Sequence, residues 1–393
     1  MAAPRSCAAS ALHTKTIASK EITRRQHVNK TFLRASVLGG TTTALLAFAP
    51  LAQAQSSVTL FTLVDANVSH YTAGSKSGAG SQTAMNDGTT NGLNGSRWGV
   101  RTTEDLGGGL KAGVLLENGF NVDNGTSGQG GRAFGRQAFV WLSSASVGEL
   151  RLGRQYILED SVMGLSNPFT NALTLNPGTG VTNAGKALPL WLNAPRADNV
   201  IQVQTVNYSG FQAAAQVAPG EKTADRFYGV KLSYSQGALN TALSYEWNRS
   251  RTTGDNVNKS LTVAANYNFG PVKVLGGVQR NRDLVTTSVN GAFTGNNLTV
   301  TGDSTFAMDR SDGTTIGVEV PVTQWVLLGA NYTRVKYANA AGQNSTLGKI
   351  AFGARYALSK NTFLYASVSQ ATGDLKDYIS QKGVTQVGLR TAF

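Results

Sequence analysis

The sequence predicts an all-β chain, a 16-stranded antiparallel transmembrane β-barrel. Three observations carry that prediction. Apolar and polar residues alternate with a period of two along segments of about ten residues. The connections between those segments are long and short by turns. After residue 54, no apolar run approaches the roughly 20 residues of a membrane helix, so a membrane reading has to use strands.

The first strand covers about residues 58–71, and the polar run AGSKSGAGSQTAMNDGTTNG follows it as a long loop. The next connection is only LGGG; then NVDNGTSGQGG is long and SASVG short. Residues 161–195 are the third long loop. Further on, short turns fall near Ser209-Gly210, Gln236-Gly237, Gly270-Pro271, Pro321-Val322 and Ser359-Lys360. Long loops fall near 219–225, 250–258, 282–312, 337–346 and 371–382. An even number of strands, with eight long loops on one side and seven short turns on the other, is the pattern of an outer-membrane barrel.

The strand faces separate membrane barrel from soluble sandwich. Leu261, Val263, Ala265, Tyr267 and Phe269 share one face, and Thr262, Asn266 and Asn268 the other. Ile350, Phe352, Ala354, Tyr356 and Leu358 oppose Lys349, Gly353 and Arg355. Charged and amide side chains on the second face suit a wet lumen, and the apolar face suits lipid. Trp247, Phe269, Trp325 and Tyr356 fall at strand ends, where an interfacial aromatic girdle belongs. Closure satisfies every backbone group without a sheet edge, so one domain should span the whole mature chain.

The third long loop, SVMGLSNPFTNALTLNPGTGVTNAGKALPLWLNAP, has no acid and a single base, Lys186. A connection of this length is functional or disordered. Its Phe169, Leu173, Leu175, Leu190 and Trp191 argue for packing, because disordered segments are poor in such side chains.

Residues 1–54 read as a cleaved export signal. A basic stretch ends in Lys30 and Arg34, the apolar run ASVLGGTTTALLAFAP follows, and Ala52-Gln53-Ala54 gives an A-x-A site. Val28 opens VNKTFLR, a basic start of ordinary length, which assigns residues 1–27 to an upstream extension or a misplaced start codon. Residues 55–393 then hold 28 basic and 21 acidic side chains, a net +7, and no cysteine. Their one histidine, His70, can build neither a multi-histidine metal site nor a hydrolytic triad. No cofactor and no metal are expected.

SVTLFTLVD from Ser57, GSRWGVRTTEDLGGGLKAG from Gly95, GRAFGRQAFVWL from Gly131 and LGRQY from Leu152 strongly resemble the general porins of Gram-negative bacteria, the beta-proteobacterial, anion-selective branch in particular. With the terminal Phe393, the resemblance spans essentially the whole mature chain. It implies an outer-membrane location, short periplasmic turns, long extracellular loops, a homotrimer, and a third loop folded inward to narrow the pore. It also implies that Phe393 and the last strand signal to the outer-membrane assembly machinery.

In that family, arginines on the wall face acids on the inward loop. Arg97, Arg136 and Arg196 stand where the resemblance places wall arginines, and alternation independently puts Arg97 opposite Trp98 and Val100, with Arg101 beside it. Leu63 or a neighbour stands where the family often has another wall lysine. Arg101 and Arg154 are candidate pore-lining neighbours. Glu159 and Asp160, the only acids on the loop's first limb, line the pore or cap the loop base. Glu104, Asp105 and Glu117 are within the same strands as possible partners of the arginines. At an effective dielectric near 20, two unit charges about 8 Å apart interact by about 2 kcal/mol, enough for more than tenfold bias. The expected function is passive diffusion of small hydrophilic solutes with selection for anions. The alternative is a channel preferring organic or phosphate anions.

Two rivals of other classes are weaker. A barrel enzyme needs an acid–base or nucleophile constellation, and no G-x-S-x-G element follows a strand. An adhesin with a plugged lumen would carry longer loops than most here. The bases are dispersed along alternating strands, which argues against nucleic acid.

Overall fold

The computed structural model describes residues 56–89, 92–169, 195–285 and 299–393. The expected leader, residues 1–54, and most of the third long loop lie outside the described residues. The strands are β1 (Ser57–Thr72), β2 (Gln82–Asp87), β3 (Arg97–Gly107), β4 (Leu110–Gly119), β5 (Gln137–Ser144), β6 (Gly148–Tyr156), β7 (Arg196–Thr205), β8 (Phe211–Ala218), β9 (Arg226–Gln236) and β10 (Leu239–Arg249). They continue as β11 (Asn256–Asn268), β12 (Lys273–Arg282), β13 (Thr299–Val300), β14 (Phe306–Ala307), β15 (Arg310–Pro321), β16 (Val326–Ala338), β17 (Asn344–Ala357), β18 (Phe363–Thr372) and β19 (Gly383–Ala392).

Seventeen of these form one antiparallel sheet, and β13 and β14 form a separate small hairpin. β2 and β3 occupy one place in the wall. β1 pairs its residues Ala66–Tyr71 with β2 and its residues Ser57–Leu63 with β3. The wall therefore has 16 staves. It closes where β1 pairs with β19, from Leu63 opposite Ala392 to Thr72 opposite Gly383. Thr62 and Phe393 complete the seam by exchanging backbone hydrogen bonds at 2.9 and 3.1 Å.

Alternation decides which side each residue takes. Val263, Val278, Ile316, Leu328, Phe352, Val368 and Val387 are exposed on the outside, as a lipid-facing band requires. Between them Thr262, Gln279, Asn331, Thr333 and Gln386 are buried on the inside. Aromatic pairs mark both rims: Tyr228 stacks on Trp247 at 5.2 Å, and Tyr267 meets Phe269 at 4.5 Å. Three glycines make the turn after β3 with φ of 83, 59 and 80° at Gly107, Gly108 and Gly109, a left-handed run that side chains resist.

One expectation needs correcting. The run at 73–92 is not a single long loop: β2 lies inside it, and the chain then leaves the wall at Gly88 and returns at Arg97. Alternation is too short in QTAMND to mark a strand by itself; pairing with β1 supplies the stability.

Candidate functional site

Two carboxylates on the inner face hold the excursion between β2 and β3. The Asp65 carboxylate accepts from Asn94 N–H at 2.8 Å and from the Tyr365 hydroxyl at 2.5 Å. Asp87 accepts from Thr89 N–H at 2.8 Å. The excursion carries Leu93 into a buried cluster with Phe169, Ala351 and Tyr365. Phe169 belongs to the third long loop, so two inward segments meet inside the barrel. The apolar Leu93 within the Gly- and Asn-rich GTTNGLNGS was the available sign, since a lone large apolar residue in such a run seeks burial.

The third loop enters through a short helix, Leu158–Met163, and a 3₁₀ turn, Gly164–Ser166. Glu159 is wholly buried there. Its carboxylate accepts from Thr262 Oγ1 at 2.8 Å, from Ser260 Oγ at 3.3 Å and from Gln279 Nε2, while its backbone N–H donates to Glu246 at 2.8 Å. Burial pushes the Glu159 carboxyl up to about 7. Glu159 is thus an anchor to β10, β11 and β12, and its expected pore-lining role is withdrawn. Asp160, one residue on, lies within electrostatic reach of Arg196.

The three wall arginines converge. Arg97 opens β3 and points inward because its neighbour Trp98 is turned outward, edge-on to Phe134 at 6.3 Å. Its guanidinium lies 3.6 Å from Glu117 on β4. Arg136, just before β5, is buried and ion-paired through Nε to the same Glu117 oxygen. Its other arm donates to the Tyr156 hydroxyl at 2.5 Å. Arg196 opens β7, lies 4.2 Å over the Tyr156 ring and donates to the same hydroxyl. The Tyr156 oxygen thus accepts from two guanidinium groups. Three guanidinium groups surround the Glu117 carboxylate and the Tyr156 hydroxyl, with the Asp160 carboxylate within reach of Arg196.

Tyr156 was not singled out from the sequence, although it ends the LGRQY motif. Nothing in one-dimensional alternation reveals it, because the β6–β7 register slips between Gly153 and Gln155. Asn199 takes up the extra residue at φ 58°. The same strand places Arg154 opposite Ala138, on the face of the exposed Val140 and Leu152. Arg154 pairs there with Asp198 at 2.5 Å, which Arg132 also reaches at 2.9 Å. It stands apart from the Arg97–Arg136–Arg196 group, contrary to a pore-lining place. Arg101 is exposed, four residues along β3 from Arg97 on the same face.

Further bases follow on the inner face. Arg151 lies 5.2 Å over the Phe139 ring and pairs with Glu149 at 2.5 Å. Lys231 donates to Ser161 of the loop at 3.0 Å. Arg355 and Arg390 flank the Phe363 ring at 4.5 and 5.4 Å. Among the described residues, Arg101, Lys231, Arg355 and Arg390 have no carboxylate at ion-pair distance. No group of His, Cys, Asp and Glu among the described residues is arranged to hold a metal.

The sequence profile described as "Gram-negative porin" matches residues 41–375. An outer membrane porin protein of Bordetella pertussis is 32% identical over 407 residues, covering 93% of this chain and 100% of that protein. Outer membrane porin protein 32 of Delftia acidovorans is 32% identical over 377 residues, covering 89% of this chain and 98% of that protein. Among solved structures, the anion-selective porin from Comamonas acidovorans superposes with a TM-score of 0.68 at 27% identity, covering 86% of this chain and 100% of that one.

Proposed function

Because the chain belongs to the Gram-negative porin family, and so forms an outer-membrane channel for small hydrophilic solutes, we propose that it selects anions at Arg97, Arg136 and Arg196. The observation that carries this reading is a chain of contacts, Arg97 and Arg136 on the Glu117 carboxylate and Arg136 and Arg196 on the Tyr156 hydroxyl, with Asp160 the acid within electrostatic reach of Arg196. Three guanidinium groups against two carboxylates, Glu117 and Asp160, leave a net positive field, and charge of one sign in a pore excludes ions of that sign. The unpaired Arg101, Lys231, Arg355 and Arg390 extend the field along the lumen. The solved porin from Comamonas acidovorans is anion-selective, which agrees with the reading. Guanidinium groups match the paired oxygens of carboxylate and phosphate, so small organic or phosphate anions are the solutes favoured among anions.

The test is the zero-current potential of Gln55–Phe393 in a planar bilayer under a KCl gradient. The expected sign is that set by chloride flux. Replacing Arg97, Arg136 and Arg196 together by Ala should lower anion preference by about tenfold or more, by the Coulomb estimate for several charges at this range. A cation-selective wild type would overturn the proposal.

Three further parts of the reading are proposals too. Cleavage follows Ala54, which an intact mass beginning at Gln55 would check. The channel is a homotrimer, as light scattering in detergent would measure. Phe393, which closes the seam on Thr62, also ends the strand read by the assembly machinery; Phe393→Ala should reduce the amount of folded protein in the outer membrane.

A further inference from the structure

We infer that Phe169 sets how far the inward loop stands from the barrel wall, and thereby the cross-section of the pore. Phe169 is the last described residue of the loop's first limb. Its ring is buried although it projects from a polar segment. It sits where the wall has no side chain. A Cβ on Gly329 of β16 would come 2.9 Å from the Phe169 ring and 3.3 Å from Pro168. One strand back, a Cβ on Gly317 of β15 would come 3.2 Å from Pro168 Cγ. Gly317 pairs with Asn331, two residues from Gly329, so the two glycines lie diagonally across neighbouring strands, under consecutive loop residues.

Other contacts hold the ring in that recess. The Phe169 backbone N–H donates to Glu319, which pairs directly with Gly329. Leu93, from the other inward segment, joins Phe169 in one buried cluster. The guanidinium of Arg355 stands 6.0 Å from the ring. The Phe169 backbone is held at φ 61°, a conformation a bulky residue adopts only when its surroundings demand it. The wall thus supplies a recess, a carboxylate that accepts the loop's backbone N–H, and a cation, and the loop supplies one aromatic ring. With the wall on one side, a displaced ring has the pore to move into.

Neither Gly329 nor Gly317 has a left-handed backbone, but a Cβ on Gly317 would also come 3.0 Å from the Ala330 carbonyl oxygen, whereas the nearest contacts of one on Gly329 are the loop's side chains. Gly329→Ala should therefore push the ring off the wall and lower single-channel conductance, with a proportionally greater loss for large solutes in liposome swelling. Phe169→Ala, which empties the recess, should raise conductance. The decisive measurement is the double variant. Without the ring the new methyl has nothing to displace, so Phe169→Ala/Gly329→Ala should conduct as Phe169→Ala alone, a strongly non-additive result. Gly313→Ala, on the same face of β15 with only an ordinary 3.5 Å contact to Val335, is the control and should conduct as wild type. Each variant is first shown to form heat-modifiable barrel, and Phe169→Ala keeps the test open if Gly329→Ala does not fold. Unchanged conductance in both single variants, an equal fall in Gly313→Ala, or additive effects in the double variant would overturn the inference.

Discussion

The two ends of the loop's first limb are fastened by different chemistry. At its base Glu159 is a buried carboxyl, gripped by three side-chain donors from β11 and β12, with Glu246 of β10 accepting its backbone N–H. Nine and ten residues on, Pro168 and Phe169 lie over glycines and are positioned mainly by shape. The first fastening depends on a proton and the second does not. Rising pH therefore bears on the first end, where burial opposes ionisation, and not on the second, which is positioned mainly by shape.

Acidity should break the symmetry of that comparison most strongly. Burial raises the Glu159 carboxyl from 4.5 to about 7, and burial together with Glu159 raises the adjoining Glu246 carboxyl as well, so the folded barrel holds protons on this pair more tightly than the unfolded chain does. For Glu159 the stabilising effect is complete below pH of about 4.5 and is lost as pH rises through about 7. Unfolding in detergent between pH 5 and 8 should show the barrel losing stability as pH rises. Glu159→Gln keeps an acceptor but cannot ionise, and should flatten the dependence. An unchanged slope in that variant would assign the pH effect to other groups.

How much of this was legible in the sequence follows from which interactions are local. Alternation placed Val263 and Phe352 outward and Thr262 and Lys349 inward, because in a strand the side of a residue is set by its parity. Arg97 followed from the same rule, and Arg136 and Arg196 from motifs that resemble the family. Tyr156 escaped because a register slip at β7 changes which residues meet, and a bulge leaves no clear mark in the period. Arg154 was expected as a pore neighbour although it shares the parity of the outward Leu152. Glu159 was left between two roles because its partners Ser260, Thr262 and Gln279 lie about a hundred residues away. Gly317 and Gly329 read as unremarkable strand glycines until Pro168 and Phe169 are seen above them.

The shape-held end gives a smaller and sharper test. At most buried positions Gly is worse than Ala, since it adds backbone freedom to the unfolded chain. At Phe169 the order should invert. Both substitutions lose the ring, but Ala must still occupy φ 61°, where a Cβ costs about 1 kcal/mol or more. Phe169→Gly should therefore be the less destabilised of the two by about that amount in denaturant unfolding. The reverse order would mean that the loop relaxes its backbone once the ring is gone, and that the ring alone imposes the left-handed conformation.

The smallest effect is expected where the ionic contacts look strongest. Lys76 pairs with Asp303 at 2.8 Å and also donates to Tyr378, tying together three loops at the mouth. Its ammonium is held above the usual lysine range by Asp303 first and Tyr378 second. Asp303 is correspondingly held below the usual carboxylate range by Lys76 and then Tyr378. Both charges are fully in water, where the solvated ions are nearly as favourable as the pair. Lys76→Ala should leave the melting temperature unchanged within error at every pH where Glu159→Gln shows its difference. If Lys76→Ala instead lowered it as much as Glu159→Gln shifts it, the distinction between a proton held in the wall and a charge held in water would fail. The mouth loops would then have to be counted with the inward segment as part of what keeps the barrel folded.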